Sequence, residues 1–289
     1  MQNNRTGAQD LDGICQGEAH MKDYFGKNAD GLKAKKLFLF DMDGTVYLEN
    51  TLFEGVAELL QKIAARGGKY VFITNNSSKS VKDYAEKMRG LGVAVSEENF
   101  FTSTQAAALL LKEKFRDGLI YAQGTRSFIA ELAGAGLRVT EKYDEGAKAI
   151  LVGFDGELTA EKMRTTCKML TKCGVPYFAT NPDWVCPVEF GYVPDCGSMC
   201  FGYEKATGRK PEFIGKPQPL MVECAMRKFG AEKKETVVLG DRLCTDIASG
   251  VNAGVDTVCV LSGEATLKDV LESPVKPAYV FSGVWKIEL

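Results

Sequence analysis

Histidine is nearly missing from this sequence of 289 residues, and its absence excludes several kinds of enzyme. The single histidine, His20, lies in a polar segment near the N-terminus. A hydrolase with a Ser-His-Asp triad and a phosphatase that forms phosphohistidine both need an imidazole in the active site. The body of the chain has none to offer, so carboxylates are the expected catalytic groups if the protein is an enzyme.

Cysteine pairs with the spacing of a metal site or a redox motif are also missing. None of the nine cysteines belongs to a C-x-x-C pair, and none is followed six positions later by the arginine that cysteine phosphatases need. An odd number of cysteines in a chain without a secretion signal favours free thiols over disulfides. We therefore expect free, mostly buried cysteines and no zinc site.

Long apolar runs and an excess of one charge are absent as well. The chain has 36 basic and 38 acidic residues, and no apolar run approaches the about 18 residues of a membrane span. These features argue against a nucleic-acid partner and against a membrane partner. Residues 1–31 are polar and contain no apolar signal-peptide core. We expect a cytoplasmic protein in which residues 1–34 are a loosely ordered N-terminal extension, a fusion remnant or a segment upstream of a start at Met21.

The most informative stretch is an unbroken apolar run, residues 37–40, that ends on two acidic residues, Asp41 and Asp43. A short apolar run before a glycine turn predicts a buried strand of a parallel sheet, and ligands bind at the carboxyl edge of such sheets. The turn that begins at Gly44 lets both carboxylates converge. Two converging carboxylates need a cation, and oxygen ligands suit Mg²⁺. The alternative is an ordinary strand that ends in an acidic turn.

A second predicted strand brings polar residues to the same edge. Residues 53–66 have the apolar spacing of a helix, and residues 70–73 form a second apolar run that ends at Thr74. Strand, helix and strand make a right-handed βαβ unit, which places Thr74 at the same sheet edge as Asp41. The polar run that starts at Thr74 precedes a predicted helix, residues 81–89, and is either a cradle for phosphate oxygens or a plain helix cap.

Residues 117–208 repeat the α/β alternation and predict a second unit inserted into the first, which a chain of this length can accommodate. Strands are expected at 119–122, 149–153 and 177–179, and helices at 127–134 and 159–173. Polar residues follow the last of these strands, among them Asn181 and Asp183. They are either a substrate contact or a simple Asn-Pro turn. We expect the two side chains to reach the core only when the insert closes over it.

After the insert, two further stretches bring charged residues toward the same sheet edge. Lys216 follows an apolar pair and a glycine and precedes a proline, so its side chain can point inward. Residues 236–239 predict a strand that leads to Asp241, in the strand-end position that Asp41 holds in the first strand. Asp246 falls one turn into the following predicted helix.

Taken in order, D-x-D-G-T, T-N-N, G-K-P and G-D-x-x-x-x-D resemble the four motifs of the haloacid dehalogenase (HAD) superfamily. The insert lies between the second and third motifs, which is similar to the NagD-like or 4-nitrophenylphosphatase-like branch, subclass IIA. The resemblance implies an α/β fold, with a doubly wound parallel-sheet core (HAD-like, Rossmannoid) and an inserted α/β cap domain. It implies a core of residues 35–116 and 209–289, and a cap of residues 117–208 that selects the substrate.

The resemblance also implies a reaction, the Mg²⁺-dependent hydrolysis of a small phosphomonoester through an aspartyl-phosphate. Asp41 would be the nucleophile, and Asp43 the general acid and then the general base. The implied metal ligands are Asp41, Asp43 through its backbone carbonyl, Asp241, and Asp246 as a direct or an indirect ligand. The residues expected to bind the phosphoryl group or the rest of the substrate are Gly44, Thr74, Asn75, Asn76, Lys216, Asn181 and Asp183, of which Thr74 and Lys216 also act in catalysis.

The motifs do not specify the substrate. Sugar phosphates, nucleoside monophosphates and similar small phosphorylated metabolites all stay open, and proteins of this kind are often dimers through the cap, so a homodimer is a further expectation. Two other functions also stay open: a non-catalytic metabolite-binding or regulatory protein on this fold, and a dinucleotide-binding oxidoreductase. All motif residues are present, which disfavours the first, and no G-x-G-x-x-G follows the first strand, which disfavours the second.

Overall fold

The computed structural model of the chain describes residues 20–289, whose strands form two larger parallel sheets and two short hairpins. The strands are, in chain order, β1 (Leu37–Phe40), β2 (Tyr47–Leu48), β3 (Thr51–Leu52), β4 (Lys69–Thr74), β5 (Phe100–Thr102), β6 (Leu119–Gln123), β7 (Arg138–Thr140), β8 (Ala149–Val152), β9 (Tyr177–Ala179), β10 (Val185–Val188), β11 (Gly191–Pro194), β12 (Glu212–Phe213), β13 (Thr236–Gly240), β14 (Asp256–Val260) and β15 (Tyr279–Phe281). The helices are α1 (Val56–Ala65), α2 (Val81–Gly90), α3 (Ser103–Phe115), α4 (Arg126–Gly134), α5 (Ala160–Lys172), α6 (Cys196–Thr207), α7 (Leu220–Phe229), α8 (Ala248–Ala253) and α9 (Leu267–Glu272). Within residues 20–289, none of the helices is both long and apolar enough to cross a membrane.

The larger sheet has six parallel strands in the order β15-β14-β13-β1-β4-β5, so β1 lies near its centre. All four residues of β1 are buried because helices cover both faces of the sheet. Alternate residues of β1 pack with α1 and α2 on one face and with α3 and α7 on the other. The register places Phe40 opposite Leu239 of β13 and Phe72 of β4, so three strands end together at one edge. This is the doubly wound α/β arrangement that the sequence predicts.

The smaller sheet has five parallel strands in the order β12-β9-β8-β6-β7. Its last strand, β12, lies beyond residue 208, where the sequence places the end of the insert. Helices α5 and α6 cover one face of this sheet. The other face contributes Ile120 and Leu151 to a buried cluster that also contains Leu39 of the larger sheet. The two sheets are therefore joined by shared apolar packing as well as by the chain.

Helix α6 and the hairpin of β10 and β11 are not predicted from the sequence. Gly197 and Gly202 lower the helix propensity of α6, so its residues look like a turn-rich stretch. Burial of Cys196 and Cys200 against the smaller sheet overrides that propensity. Free thiols are confirmed for the eight cysteines in the described part of the chain, five of which are buried.

Residues 20–34 pack against the larger sheet, whereas the sequence predicts a loose extension. Met21, Ala29 and Leu32 are buried in the same cluster as residues of β1. His20 Nδ1 lies 2.5 Å from Asp30 Oδ2, which closes this segment on itself. The prediction is wrong here because three apolar side chains, too widely spaced to form a sequence pattern, are enough to anchor the segment. Residues 1–19, the rest of the predicted extension, lie outside the described residues.

Candidate active site

The predicted carboxylates and hydroxyl lie together at the carboxyl ends of three neighbouring strands. Asp41 follows β1, Thr74 ends β4 and Asp241 follows β13. Gly44 makes the turn after Asp41 with a φ of +81°, and a Cβ atom at Gly44 would lie 2.4 Å from Asp241 Oδ2. Any side chain at this position would be strained and would push Asp241 away from Asp41.

Asp41, Asp241 and Asp246 form a group whose carboxylate oxygens lie within 4.8 Å of one another. Asp241 and Asp246 are buried, while the side chain of Asp41 keeps 14% of its exposure. Asp246 comes from a π-helical turn after β13, where its Oδ2 accepts a hydrogen bond from the backbone N–H of Arg242 at 3.0 Å. Oδ2 of Asp241 accepts one from the backbone N–H of Glu264 at 2.8 Å. Backbone donors therefore orient two of the three carboxylates.

Lys216 points into this group of three carboxylates. Its side chain is 2% exposed, and its Nζ lies 2.5 Å from Asp41 Oδ1 and 2.6 Å from Asp246 Oδ1. The inward orientation that the sequence allowed for this lysine is thus confirmed. Burial lowers the pKa of Lys216, but the charges of Asp246 and Asp41 raise it more, so the ammonium form is retained.

Negative charge exceeds positive charge in this group of three carboxylates. Lys216 pairs with two of the three carboxylates, and the nearby guanidinium of Arg242 is itself paired with Glu264, at 2.8 Å. Burial, and then the charge of Asp246, raise the pKa of Asp41 well above its usual range and that of Asp241 to about 6. Crowded carboxylate oxygens of this kind fit a hard divalent cation, which would hold them ionised. Asp41, Asp241 and Asp246 are the side chains that would hold it; the side chain of Asp43 is not part of the group that the described residues form.

Residues 74–78, which begin with the last residue of β4, hold the backbone of Lys216 in place. Asn75 donates from Nδ2 to the carbonyl of Lys216 at 2.9 Å and accepts from the N–H of Lys216 at 2.8 Å. Oγ1 of Thr74 accepts the N–H of Asn76 at 3.2 Å. The N-terminus of α2 is capped by Ser80. Plain helix capping, the alternative that the sequence left open, therefore does not explain the polar residues of this segment.

Ser77 joins residues 74–78 to the smaller sheet. Its Oγ lies 3.0 Å from Thr180 Oγ1 and accepts the backbone N–H of Phe154 at 2.9 Å. Both hydrogen bonds are buried. The segment at the edge of the larger sheet is therefore also a part of the interface between the two sheets.

Asn181 and Asp183 contact the core directly in this structure, and the expectation that they reach it only on closure stays a prediction. Asn181 donates from Nδ2 to the carbonyl of Asn75 at 2.8 Å, and Asp183 Oδ2 accepts from Asn75 Nδ2 at 3.1 Å. Asn181 is fully buried, and its Oδ1 accepts the N–H of Asp183 at 3.0 Å. Its amide is thus used within the turn and at the interface. Burial raises the pKa of Asp183.

Three further residues are missed by the sequence argument: two lie near the carboxylates, and the third, Asp195, lies near Asp183. The Tyr47 hydroxyl donates to Oδ2 of Asp43 at 3.2 Å, Arg242 lies beside Asp241, and burial raises the pKa of Asp195 to about 7. Arg242 could be suspected from its place directly after a predicted metal ligand. Nothing in the sequence distinguishes Tyr47 from an ordinary buried aromatic residue, or Asp195 from a helix cap.

Comparison with known proteins finds a consistent set of relatives. Residues 38–138 match a family model described as haloacid dehalogenase-like hydrolase, and residues 213–287 match a HAD-hydrolase-like model. An acid sugar phosphatase from Staphylococcus aureus is 33% identical over 250 residues, which are 86% of this chain and 95% of that protein. The crystal structure of 4-nitrophenylphosphatase from Thermotoga maritima has a TM-score of 0.84 and 37% identity, covering 89% of this chain and 97% of that one. Glycerol phosphate phosphatase from Mycobacterium tuberculosis, in complex with magnesium, has a TM-score of 0.82 and 28% identity, covering 90% of this chain and 76% of that one.

Proposed function

Since this chain belongs to the haloacid dehalogenase-like hydrolases and is a phosphatase of their NagD-like, 4-nitrophenylphosphatase-like branch, we propose that it hydrolyses a small phosphomonoester in a Mg²⁺-dependent reaction through an aspartyl-phosphate at Asp41. The observation that carries this proposal is the group of Asp41, Asp241 and Asp246 around Lys216. It combines a partly exposed carboxylate that can act as nucleophile with buried carboxylates that suit a divalent cation.

The proposed chemistry has two steps. Oδ2 of Asp41 attacks phosphorus, because Oδ1 is engaged by Lys216. The bond from phosphorus to the leaving oxygen breaks, and Asp43 donates a proton to that oxygen. Asp43 then removes a proton from a water molecule whose oxygen attacks phosphorus, which breaks the bond to Asp41 and releases phosphate. Lys216 and Thr74 offset and orient the charge of the phosphoryl oxygens in both steps.

A Mg²⁺ ion bound by Asp41, Asp241 and Asp246, with the carbonyl of Asp43, would supply positive charge to the phosphoryl oxygens. Lys216 supports the same chemistry from the protein side, because its charge opposes the raised pKa of Asp41 and favours the ionised nucleophile. The relative crystallised with magnesium supports the choice of this ion.

The proposed substrate is a small polar metabolite, with a sugar or polyol phosphate ahead of a nucleoside monophosphate. The relatives named as acid sugar phosphatase and glycerol phosphate phosphatase support this order. So do the side chains of Asp183 and Arg242, whose charges act on each other beside the carboxylates, because hydroxyl groups can hydrogen-bond to both. Residues 117–208 are proposed as the cap that makes this selection.

Hydrolysis of 4-nitrophenyl phosphate tests the reaction, first with Mg²⁺ and then with excess EDTA. We expect turnover that EDTA abolishes and added Mg²⁺ restores, and no turnover by a folded Asp41→Asn variant. Asp241→Ala should weaken Mg²⁺ binding in a calorimetric titration, because a direct ligand is lost. Wild-type turnover in Asp41→Asn, or unchanged Mg²⁺ affinity in Asp241→Ala, would contradict the assignment.

The alternative, a non-catalytic binding or regulatory protein, predicts a different result in the same assay. Such a protein would bind phosphate esters in a thermal-shift measurement and release no phosphate from any of them, with or without Mg²⁺.

A further inference from the structure

Asp43 is an exposed carboxylate that is held by a buried residue. Its Oδ2 accepts a hydrogen bond from the hydroxyl of Tyr47, at 3.2 Å. Tyr47 has no solvent exposure, and its backbone is bonded across the turn, from its N–H to Met42 at 3.3 Å and from the N–H of Gly44 to its carbonyl at 2.8 Å. A rigid part of the chain therefore presents the hydroxyl, whereas an exposed Asp43 without it would sample several rotamers.

Lys87 of α2 lies against the ring of Tyr47. Its Nζ is 3.7 Å from the ring centroid, and the side chain is half-buried. A cation over an aromatic face is attracted to the ring and draws electron density toward itself, which makes the hydroxyl a stronger hydrogen-bond donor. The charge of Asp43 acts on Lys87 in turn, since it partly opposes the lowering of the Lys87 pKa by burial.

We propose that Tyr47 is the positioning residue for Asp43, and that Lys87 supports Tyr47 in this role. The hydrogen bond engages Oδ2 of Asp43, so Oδ1 is the oxygen that carries the proton to the substrate. This inference rests on the proposed function, because Asp43 has a leaving group to protonate only if the protein cleaves a phosphate ester.

The two oxygens of Asp43 have different roles in each step. First, Oδ1 gives its proton to the leaving oxygen while that oxygen separates from phosphorus and Asp41 bonds to phosphorus. Next, Oδ1 takes a proton from water while the water oxygen bonds to phosphorus and the Asp41–phosphorus bond breaks. Tyr47 keeps its own proton throughout and donates to Oδ2 in both steps.

The expected effect of losing this hydrogen bond depends on the leaving group. An alkoxide is a poor leaving group unless it is protonated as it departs, whereas 4-nitrophenolate departs as a stable anion. The test compares Tyr47→Phe with the wild-type chain on glycerol 2-phosphate and on 4-nitrophenyl phosphate, both with Mg²⁺. We expect kcat/KM for glycerol 2-phosphate to fall by about tenfold or more, and kcat/KM for 4-nitrophenyl phosphate to change by less than about twofold.

Two further variants complete the experiment. Tyr70→Phe removes a hydroxyl that donates to the carbonyl of Ala94 at 3.1 Å, away from the carboxylates, and should leave both kcat/KM values unchanged. Lys87→Met keeps the Tyr47 hydroxyl and removes the charge over its ring. It should lower kcat/KM for glycerol 2-phosphate selectively, by a smaller factor than Tyr47→Phe, and it decides the question if Tyr47→Phe does not fold.

The possible results are distinguishable. An equal loss on both esters in a folded Tyr47→Phe protein would make Tyr47 a structural residue and overturn the proposal. Unchanged kcat/KM for glycerol 2-phosphate in that variant would overturn the proposal as well. If Tyr47→Phe does not fold, an equal loss on both esters, or no loss on glycerol 2-phosphate, in Lys87→Met would overturn it. A wild-type chain that cleaves neither ester would refute the proposed function, and the positioning role with it.

Discussion

Lys216 is a buried ammonium group that contacts Asp41 and Asp246. The same contacts should stabilise the folded state and support the proposed phosphatase reaction. Replacing it by methionine leaves the buried Asp246 and the partly exposed Asp41 without their cation, and breaking a buried ion pair typically costs about 3–5 kcal/mol of the free energy of unfolding. We expect Lys216→Met to be destabilised by this order in urea unfolding without added metal, and to lose turnover of 4-nitrophenyl phosphate.

A second change should separate the two effects. In the double variant Lys216→Met/Asp246→Asn, one unpaired charge is removed, so part of the lost stability should return while activity stays lost. Lys35→Met is the matched control, because Lys35 is also buried and its Nζ lies 2.6 Å from Asp256 Oδ2, away from the carboxylate group. It should be destabilised with unchanged kcat/KM. Strictly additive losses of stability in the double variant would contradict this account of Lys216.

Among the elements, α4 carries a carboxyl group that makes stability depend on pH. Glu131 is largely buried, and its Oε1 accepts from the Thr102 hydroxyl at 3.4 Å. Burial raises its pKa from 4.5 to about 7. The folded state therefore binds the proton more tightly than the unfolded state does. The stability from this group is fully present below pH 4.5 and is lost as the pH rises through about 7.

Glu131→Gln should remove this pH dependence. We expect its melting temperature to match the wild type near about pH 4 and to exceed it by a few degrees near about pH 8, where the buried carboxylate is ionised only in the wild type. Glu161→Gln, an exposed change on α5, is the control and should follow the wild type at both pH values. A constant difference between Glu131→Gln and the wild type would show that burial of this carboxyl is not coupled to folding.

The two polar residues of the turn after β9 should have different roles. Asn181 should stabilise the fold, and Asp183 should contribute to substrate specificity. Asn181 is fully buried and bonded to Asn75, so Asn181→Ala should lower the melting temperature and leave relative activity on different esters unchanged. Asp183 has a charge that acts on Arg242 beside the carboxylates, so Asp183→Ala should change the ratio of kcat/KM between a sugar phosphate and 4-nitrophenyl phosphate by about tenfold. An unchanged ratio with reduced stability would make Asp183 a turn residue as well.

The elements that the sequence predicts well are those with a local cause. Residues 37–40 read as a buried strand because every side chain is apolar, and Asp41 is placed by the end of that strand. Packing between residues from different elements could not be predicted from the sequence. The glycines of α6 suggest a turn until the burial of Cys196 is known, and nothing near Tyr47 shows that its hydroxyl meets Asp43. Predictions of sheet-edge residues thus succeed where predictions of their neighbours fail.

On the scale of the whole molecule, the β10–β11 hairpin carries the surface through which the expected homodimer would form. Phe190 is 83% exposed, Tyr192 67% and Trp184 59%, and all three belong to the hairpin or adjoin it. Exposed aromatic side chains this close together mark contact sites. We propose that a second copy of the chain covers them. The double variant Phe190→Asp/Tyr192→Asp should sediment as a monomer while the wild type sediments as a dimer, and a monomeric wild type at high concentration would refute the proposal.

The bonds of residues 74–78 bear on how phosphatases of this kind can be recombined. Asn75 and Ser77 lie in the sequence of the larger sheet, yet they hydrogen-bond to Asn181, to Thr180 and to the backbone of Phe154 in the insert. A chimera that joins this core to the insert of a relative would leave those buried donors and acceptors facing foreign partners. The part that can be exchanged between such enzymes is therefore larger than the inserted sequence, and it includes a segment that also orients Lys216 beside the three carboxylates.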